Sequence, residues 1–235
     1  MTSVNPTDIR LVVLDMAGTT VADGGLVERA FDAAARELGV APGTDDHAGK
    51  LAHVRATMGE SKIYVFRHLF GDEERAQRAN TAFEKAYGTL VGDGLVAPVP
   101  GAREAVEELT ADGRTVVLTT GFARVTQDAI LDALGWRGLV PLTLCPADAG
   151  GRGRPYPDMV LEAFLRTRAA DAVRQVAVVG DTSYDVLSGV RAGAGLVAGV
   201  RTGAHGDDAF REAGATHVLD SVAGLPALLR GAAGR

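Results

Sequence analysis

Leu11-Val12-Val13-Leu14-Asp15-Met16-Ala17-Gly18-Thr19-Thr20 is the stretch on which the fold turns. Four apolar residues, two of them valine, read as a buried strand. A carboxylate closes the run. Small and hydroxylated residues follow it, the composition of a turn whose backbone N–H groups can converge on an anion. Open α/β sheets place their chemistry at the carboxyl ends of parallel strands, where Asp15 stands. The plainer reading is an Asp that caps the next helix. The stretch alone does not separate the two.

Working outward, Val27, Ala30, Phe31, Ala34 and Leu38 recur at helical spacing, and Gly39 ends the run. Asp45-Asp46 opens a second helix carrying Leu51 and Val54, Ser61 to Leu69 reads as a third, and Glu73 to Leu90 as a fourth. Val96-Ala97-Pro98-Val99-Pro100-Gly101 reads as a rigid linker back into the sheet. Beyond it strands and helices alternate. Thr115 to Gly121, Leu139 to Leu144, Gln175 to Val179, Gly195 to Val200 and His217 to Leu219 are strand-like, with helices over 102–111, 127–134, 157–168 and 184–192. The expected class is therefore α/β, a parallel sheet covered on both faces, with residues 1–24 and 96–235 forming the core and 25–95 an inserted all-helical unit.

Composition narrows the function. A chain of 235 residues that is 46% hydrophobic and 23% charged can bury a sizeable core and is too apolar for disorder. A formal charge of −6 argues against nucleic acid or an anionic membrane as partner, so an anionic substrate must be held by local donors. The single Cys145 excludes an intrachain disulfide, and Met1 to Arg10 shows no hydrophobic signal segment; the expectation is a cytoplasmic protein.

Two later stretches answer the first. Gly180-Asp181-Thr182-Ser183-Tyr184-Asp185 sets two carboxylates one helical turn apart at another strand end. With Asp15 they form a set of hard oxygen ligands of the kind that holds Mg2+, although Asp185 also suits an N-terminal helix charge acting from behind the ligands. Gly153-Arg154-Pro155-Tyr156-Pro157 is a short loop offering a guanidinium to phosphate-type oxygens.

Strand-Asp, strand-Thr, basic loop and Gly-Asp-x-x-x-Asp, in this order, resemble the haloacid dehalogenase superfamily of hydrolases over essentially the whole chain. The resemblance implies a Rossmannoid core, a helical cap and Mg2+. It implies that Asp15 is nucleophile and metal ligand, that Ala17 offers its backbone carbonyl to the metal, and that Asp181 and Asp185 hold the metal directly or through water. Thr120 and the N–H of Gly121, with Thr19, would bind the transferring phosphoryl group, and Arg154 would neutralise it.

Most phosphatases of that superfamily carry a second Asp where this chain has Ala17, and a Lys where it has Arg154. Both differences characterise the phosphonatase branch, whose first motif reads Asp-x-Ala-Gly-Thr-Thr, as residues 15–20 do. That branch also uses a cap lysine in a Met-Gly-x-x-Lys context, matched by Met58-Gly59-Glu60-Ser61-Lys62. The chemistry is coherent. A carbon leaving group cannot depart as a bare carbanion, but an amine condensed with a substrate aldehyde gives an iminium that accepts the electrons. An ordinary lysine is only about 0.04% neutral at pH 7, so Lys62 requires burial or a cationic neighbour, for which Arg55 and Arg67 are available in sequence.

Three positions depart from the branch. Val65 replaces a histidine, leaving His53 or His68 as substitutes, while Gly25 replaces a cysteine and Phe122 a tyrosine. The expected substrate is a small phosphonate aldehyde. The alternative is a phosphomonoesterase acting on a small phosphometabolite, with Lys62 only binding substrate. The resemblance is compatible with a homodimer.

Overall fold

A computed structural model describes residues 5–231. In chain order its first elements are β1 (Leu11–Asp15), β2 (Val21–Ala22), α1 (Leu26–Glu37), α2 (Asp45–Ala56), α3 (Lys62–Phe70) and α4 (Glu73–Gly92). Then follow β3 (Ala97–Pro98), α5 (Ala102–Ala111), β4 (Thr115–Thr119), α6 (Arg124–Ala133), β5 (Leu142–Leu144) and α7 (Asp158–Thr167). The last are β6 (Val176–Gly180), α8 (Ser183–Ala192), β7 (Leu196–Val200), α9 (Asp207–Ala213), β8 (His217–Leu219) and α10 (Leu225–Leu229).

Six strands lie side by side in the order β5-β4-β1-β6-β7-β8, and each neighbouring pair is parallel. Val12 and Leu14 of β1 enter one apolar cluster and Leu11 and Val13 another, which is why the strand is an unbroken hydrophobic run. The chain fills β4 and β5 on one side of β1, then crosses to β6, β7 and β8 on the other. A crevice opens at the carboxyl end of β1, where this reversal occurs. Register puts Asp15 beside Thr119 and Leu14 beside Val179. The polar residues ending β1, β4 and β6 therefore share one edge.

Helices α1–α4 stand between β2 and β3 and are joined by buried aromatics. Phe66 meets Phe83 edge-on at 5.7 Å between ring centroids. Tyr87 of α4 reaches Phe122 beyond β4 at 4.7 Å, which fastens the helices to the sheet side. Thr44 caps α2 by accepting from the His47 N–H at 3.2 Å, and Asp72 caps α4 through the Arg75 N–H at 2.8 Å.

The structure departs from the sequence reading in three places. Ala97–Pro98 is not simply linker: it pairs antiparallel with Val21–Ala22, so the way out of the sheet and the way back are tied together. Two residues, one a proline, are too few to show a period. The strand expected from Leu139 shrinks to Leu142–Leu144, because the Leu139 N–H closes a turn on the Trp136 carbonyl at 3.0 Å and Pro141 has no N–H to give. Helices α9 and α10, of seven and five residues, are too short to show helical periodicity. No described helix is long and apolar enough to cross a membrane.

Candidate active site

Arg154 organises the sheet side of the site. Its Nη1 lies 2.7 Å from Asp15 Oδ1 and its Nε 2.7 Å from Asp185 Oδ1. Its Nη2 donates to Thr119 Oγ1 at 2.7 Å. A guanidinium has five N–H groups, so two remain for a ligand. Asp185 is further held by the N–H and hydroxyl of Thr182, at 3.1 and 2.5 Å, in a capping box that starts α8. Asp185 is thus both a helix cap and a partner of the arginine. Asp181 accepts from the Ala204 N–H at 2.8 Å and from the Thr19 hydroxyl at 3.3 Å. Thr19 therefore steadies Asp181, and its side chain does not line the cavity described below.

Three buried carboxylates against one guanidinium leave an excess of negative charge. Asp15, Asp181 and Asp185 can each offer an oxygen, and these lie within 4.8 Å of one another. Burial raises the Asp15 carboxyl well above its ordinary value; Arg154 pulls it back, and Asp185 and Asp181 push it up again. Asp181 is raised to about 6, by burial first and then by Asp185. A divalent cation relieves this repulsion, and an all-oxygen donor set is the kind that Mg2+ takes. The residues fit the metal.

Two glycines leave room for this geometry. A Cβ on Gly18, whose φ is +87°, would stand 2.3 Å from Asp181 Oδ2, and one on Gly203 would stand 2.0 Å from it. The helical side is fitted to the sheet side just as closely. A Cβ on Gly121 would meet the Glu60 carbonyl oxygen at 2.8 Å, and one on Gly59 would meet Thr182 Oγ1 at 2.5 Å.

A cavity of about 530 Å³ opens between the two sides. Asp15, Ala17, Thr120, Gly121, Arg154 and Asp181 form its sheet wall, and Asp23, Glu28, Arg55, Met58 and Lys62 face them. Thr120 Oγ1 accepts from the Phe122 N–H at 3.2 Å, which orients the loop after β4. Lys62 is 8% exposed. Its Nζ donates weakly to the Glu60 carbonyl at 3.4 Å and lies 5.6 Å from the centroid of the Phe122 ring. No carboxylate pairs with it among the described residues. Burial pushes its ammonium down to about 8 against the opposing pull of Asp23 and Asp15, and Arg154 adds to the depression.

The cationic neighbour is thus Arg154. Arg55 is engaged by Glu28 in a bidentate pair at 2.7 and 2.8 Å, and Arg67 pairs with Glu73 at 2.7 Å. Neither histidine takes the place of Val65 in the cavity: His53 and His68 stack on each other at 4.1 Å and line no part of it. Val65 itself is buried among the helices. Gly25 leads into α1 with a φ of +78°, a conformation that a cysteine rarely adopts. Sequence reading marked Thr119 only as a hydroxyl ending β4, not as the partner of Arg154, and missed Ala204 and the cavity positions of Asp23 and Glu28. Those three positions carry no local signal in the sequence.

A family profile described as haloacid dehalogenase-like hydrolase matches residues 9–193. A Dickeya dadantii protein named Probable phosphatase IndB is 30% identical over 90% of this chain and 89% of its own length. A phosphonoacetaldehyde hydrolase of Pseudomonas putida is 26% identical over 85% of this chain and 75% of its own. Among solved structures, a phosphonoacetaldehyde hydrolase like protein from Oleispira antarctica superposes with a TM-score of 0.80 at 25% identity, covering 96% of this chain and 92% of that one. A hydrolase from Pseudomonas syringae, 22% identical with a TM-score of 0.79 over 93% and 96% of the two chains, shares the fold.

Proposed function

Because the chain belongs to the haloacid dehalogenase-like hydrolases, we propose that it cleaves the carbon–phosphorus bond of a small phosphonate aldehyde such as phosphonoacetaldehyde. The observation that carries this reading is a buried lysine, lowered to about 8, facing the Asp15 cluster across one cavity. An amine at about 8 is roughly a tenth neutral at pH 7, against far less than a hundredth for an ordinary lysine.

The chain's residues divide the work. Lys62 condenses with the aldehyde, and the iminium formed draws in the electrons of the breaking bond. Asp15 attacks phosphorus while Arg154 holds it ionised and in line. Thr120 and the Gly121 N–H receive the phosphoryl oxygens. The departing enamine needs no proton on a leaving oxygen, which makes sense of Ala17 in the cavity wall. Asp15, Asp181, Asp185 and the Ala17 carbonyl would hold Mg2+, which supplies charge neutralisation at the transferring group. Helices α1–α4 act as a cap that excludes water.

Borohydride reduction with phosphonoacetaldehyde and Mg2+, followed by peptide mass spectrometry, tests the reading. A reduced adduct on Lys62, with phosphate and acetaldehyde released when borohydride is omitted, is the expected result. Phosphate released from simple esters without any adduct would establish the second reading, a phosphomonoesterase. That reading is favoured by the 30% identity to the named phosphatase.

A further inference from the structure

The Schiff-base chemistry, on which this inference rests, needs a group that carries protons at the aldehyde, and no histidine lines the cavity. Asp23 does line it, on the same side as Lys62. We propose that Asp23 is a catalytic residue, the acid–base partner of Lys62 in forming and resolving the Schiff base.

Three observations support the assignment. Among the charges around Lys62, which are Asp23, Asp15, Glu60 and Arg154, Asp23 exerts the strongest pull on its ammonium. Asp23 nevertheless forms no ion pair with the lysine among the described residues, so the two flank the cavity without closing it. Among the described residues its carboxylate oxygens accept two long backbone bonds, from the Gly25 N–H at 3.1 Å and the Val27 N–H at 3.3 Å, and this leaves lone pairs free for a carbonyl-derived hydroxyl. Its environment also suits proton exchange. Burial raises Asp23 above the ordinary carboxylate value; those two N–H groups and Lys62 lower it, and Glu28 adds repulsion. The buried Tyr87 phenol is the other titratable group that feels its charge.

The Asp23 carboxylate takes one proton from the Lys62 ammonium, and the freed lone pair attacks the aldehyde carbon, sending the carbonyl π electrons to oxygen. That oxygen receives the proton held by Asp23 and a second one from the lysine nitrogen, and leaves as water while the C=N bond forms. Of the three ammonium protons, two depart in the water and one stays on the iminium; Asp23 is ionised again. After the carbon–phosphorus electrons have become the enamine double bond, Asp23, reprotonated from solvent, protonates the terminal carbon. The resulting iminium takes up water, releasing acetaldehyde and the lysine ammonium.

A role confined to holding the start of α1 predicts something different. Asp23 stands two residues before the Gly25 N-cap and accepts from the Gly25 and Val27 N–H groups; Asn and Ser each keep a side-chain oxygen able to accept there, so Asp23→Asn and Asp23→Ser spare the start of α1 and remove the titrating group. The experiment follows the rate of borohydride-trapped adduct on Lys62, with phosphonoacetaldehyde as probe, from pH 5 to 10 in the wild type and both variants. The expected wild-type curve is a bell, since the working pair shares one proton and fails when it holds two or none. Both variants should form adduct about 100-fold more slowly. Their curves should lose the alkaline fall and rise with the free amine alone, at or below about 8. Acetate should restore part of the Asp23→Ser rate. Variants that trap adduct at the wild-type rate with the wild-type bell would overturn the role of Asp23 and leave the Schiff base standing. Absence of adduct in the wild type would overturn both.

Discussion

On the sheet side of the cavity the acidic groups are held by charged or well-placed donors, two of the three more than once. Asp185 is tied by Arg154 and by both donors of Thr182, Asp181 by Ala204 and Thr19, and Asp15 by Arg154. On the helical side Lys62 has one long hydrogen bond and an aromatic face, and Asp23 two long backbone bonds. The first wall is fixed by strand ends whose register the core dictates. The second is carried by the start of a helix and a turn seated against Gly121. Phosphoryl transfer demands an in-line geometry, which rigid elements supply best, whereas condensation with an aldehyde demands an amine kept dry until substrate arrives. The two walls meet those separate demands.

The largest expected effect lies on the rigid side. Asp15→Asn should lower phosphate release from every substrate by at least about 10⁴-fold, the scale lost when a covalent nucleophile is removed. A discontinuous phosphate assay checks this. If the variant keeps a hundredth of the wild-type rate, Asp15 is not the nucleophile, and the contrast between the walls loses its meaning.

On the looser wall the sharpest test is thermodynamic. Lys62 is lowered to about 8 in the fold from 10.5. Between those values the unfolded chain binds a proton that the folded chain has released, so stability rises with pH across that window. Below it the fold carries the whole burden of the buried charge, on the order of 3 kcal/mol. Lys62→Met should therefore stabilise the protein at pH 7 by up to about 3 kcal/mol, a gain that shrinks as pH climbs from 8 towards 10. Urea titrations at pH 7 and pH 9.5 read this directly. Equal gains at both values would mean that the lysine is not discharged by burial.

A metal should stiffen the acidic wall further. Mg2+ at 100 times its dissociation constant should raise stability by about 2.7 kcal/mol, or roughly 5–11 °C in Tm for a chain of this size. Asp181→Asn should remove most of that shift. An unchanged shift in the variant would place the ion elsewhere.

The same contrast governed what could be read from sequence. Asp15, Thr120 and Asp181 sit at strand ends, Asp185 one turn into the helix that follows and Arg154 in a short basic loop, and such residues announce themselves by position in a run. Lys62 was legible only through its short motif, since its burial, the quantity that matters, depends on Phe122 and on the seating of the 59–60 turn against Gly121, both far away in the chain. Asp23 stands between Ala22 and Gly24 with no run or motif to mark it, and nothing local reveals that it lines the same cavity as Lys62. The histidines show the converse: His53 and His68 have the right chemistry, yet the crossing of α2 and α3 turns them on each other.

The smallest effect concerns the joint between the walls. Tyr87 is fully buried and its hydroxyl has no hydrogen-bond partner among the described residues, while its ring packs on Phe122 at 4.7 Å and on Phe83 at 6.0 Å. The ring therefore does the fastening, and the oxygen is buried without a protein partner among the described residues. Removing it should recover part of the desolvation penalty, so Tyr87→Phe should stabilise the protein by about 1 kcal/mol, or roughly 2–4 °C in Tm. Because the phenol feels the charges of Asp23 and Asp15, adduct formation on Lys62 should be measured in the same variant. A stability gain without a change in trapping rate would show the hydroxyl to be a passenger. A loss of stability together with slower trapping would mean that it holds a water connecting the aromatic joint to Asp23, and the looser wall would then be better ordered than its protein hydrogen bonds imply.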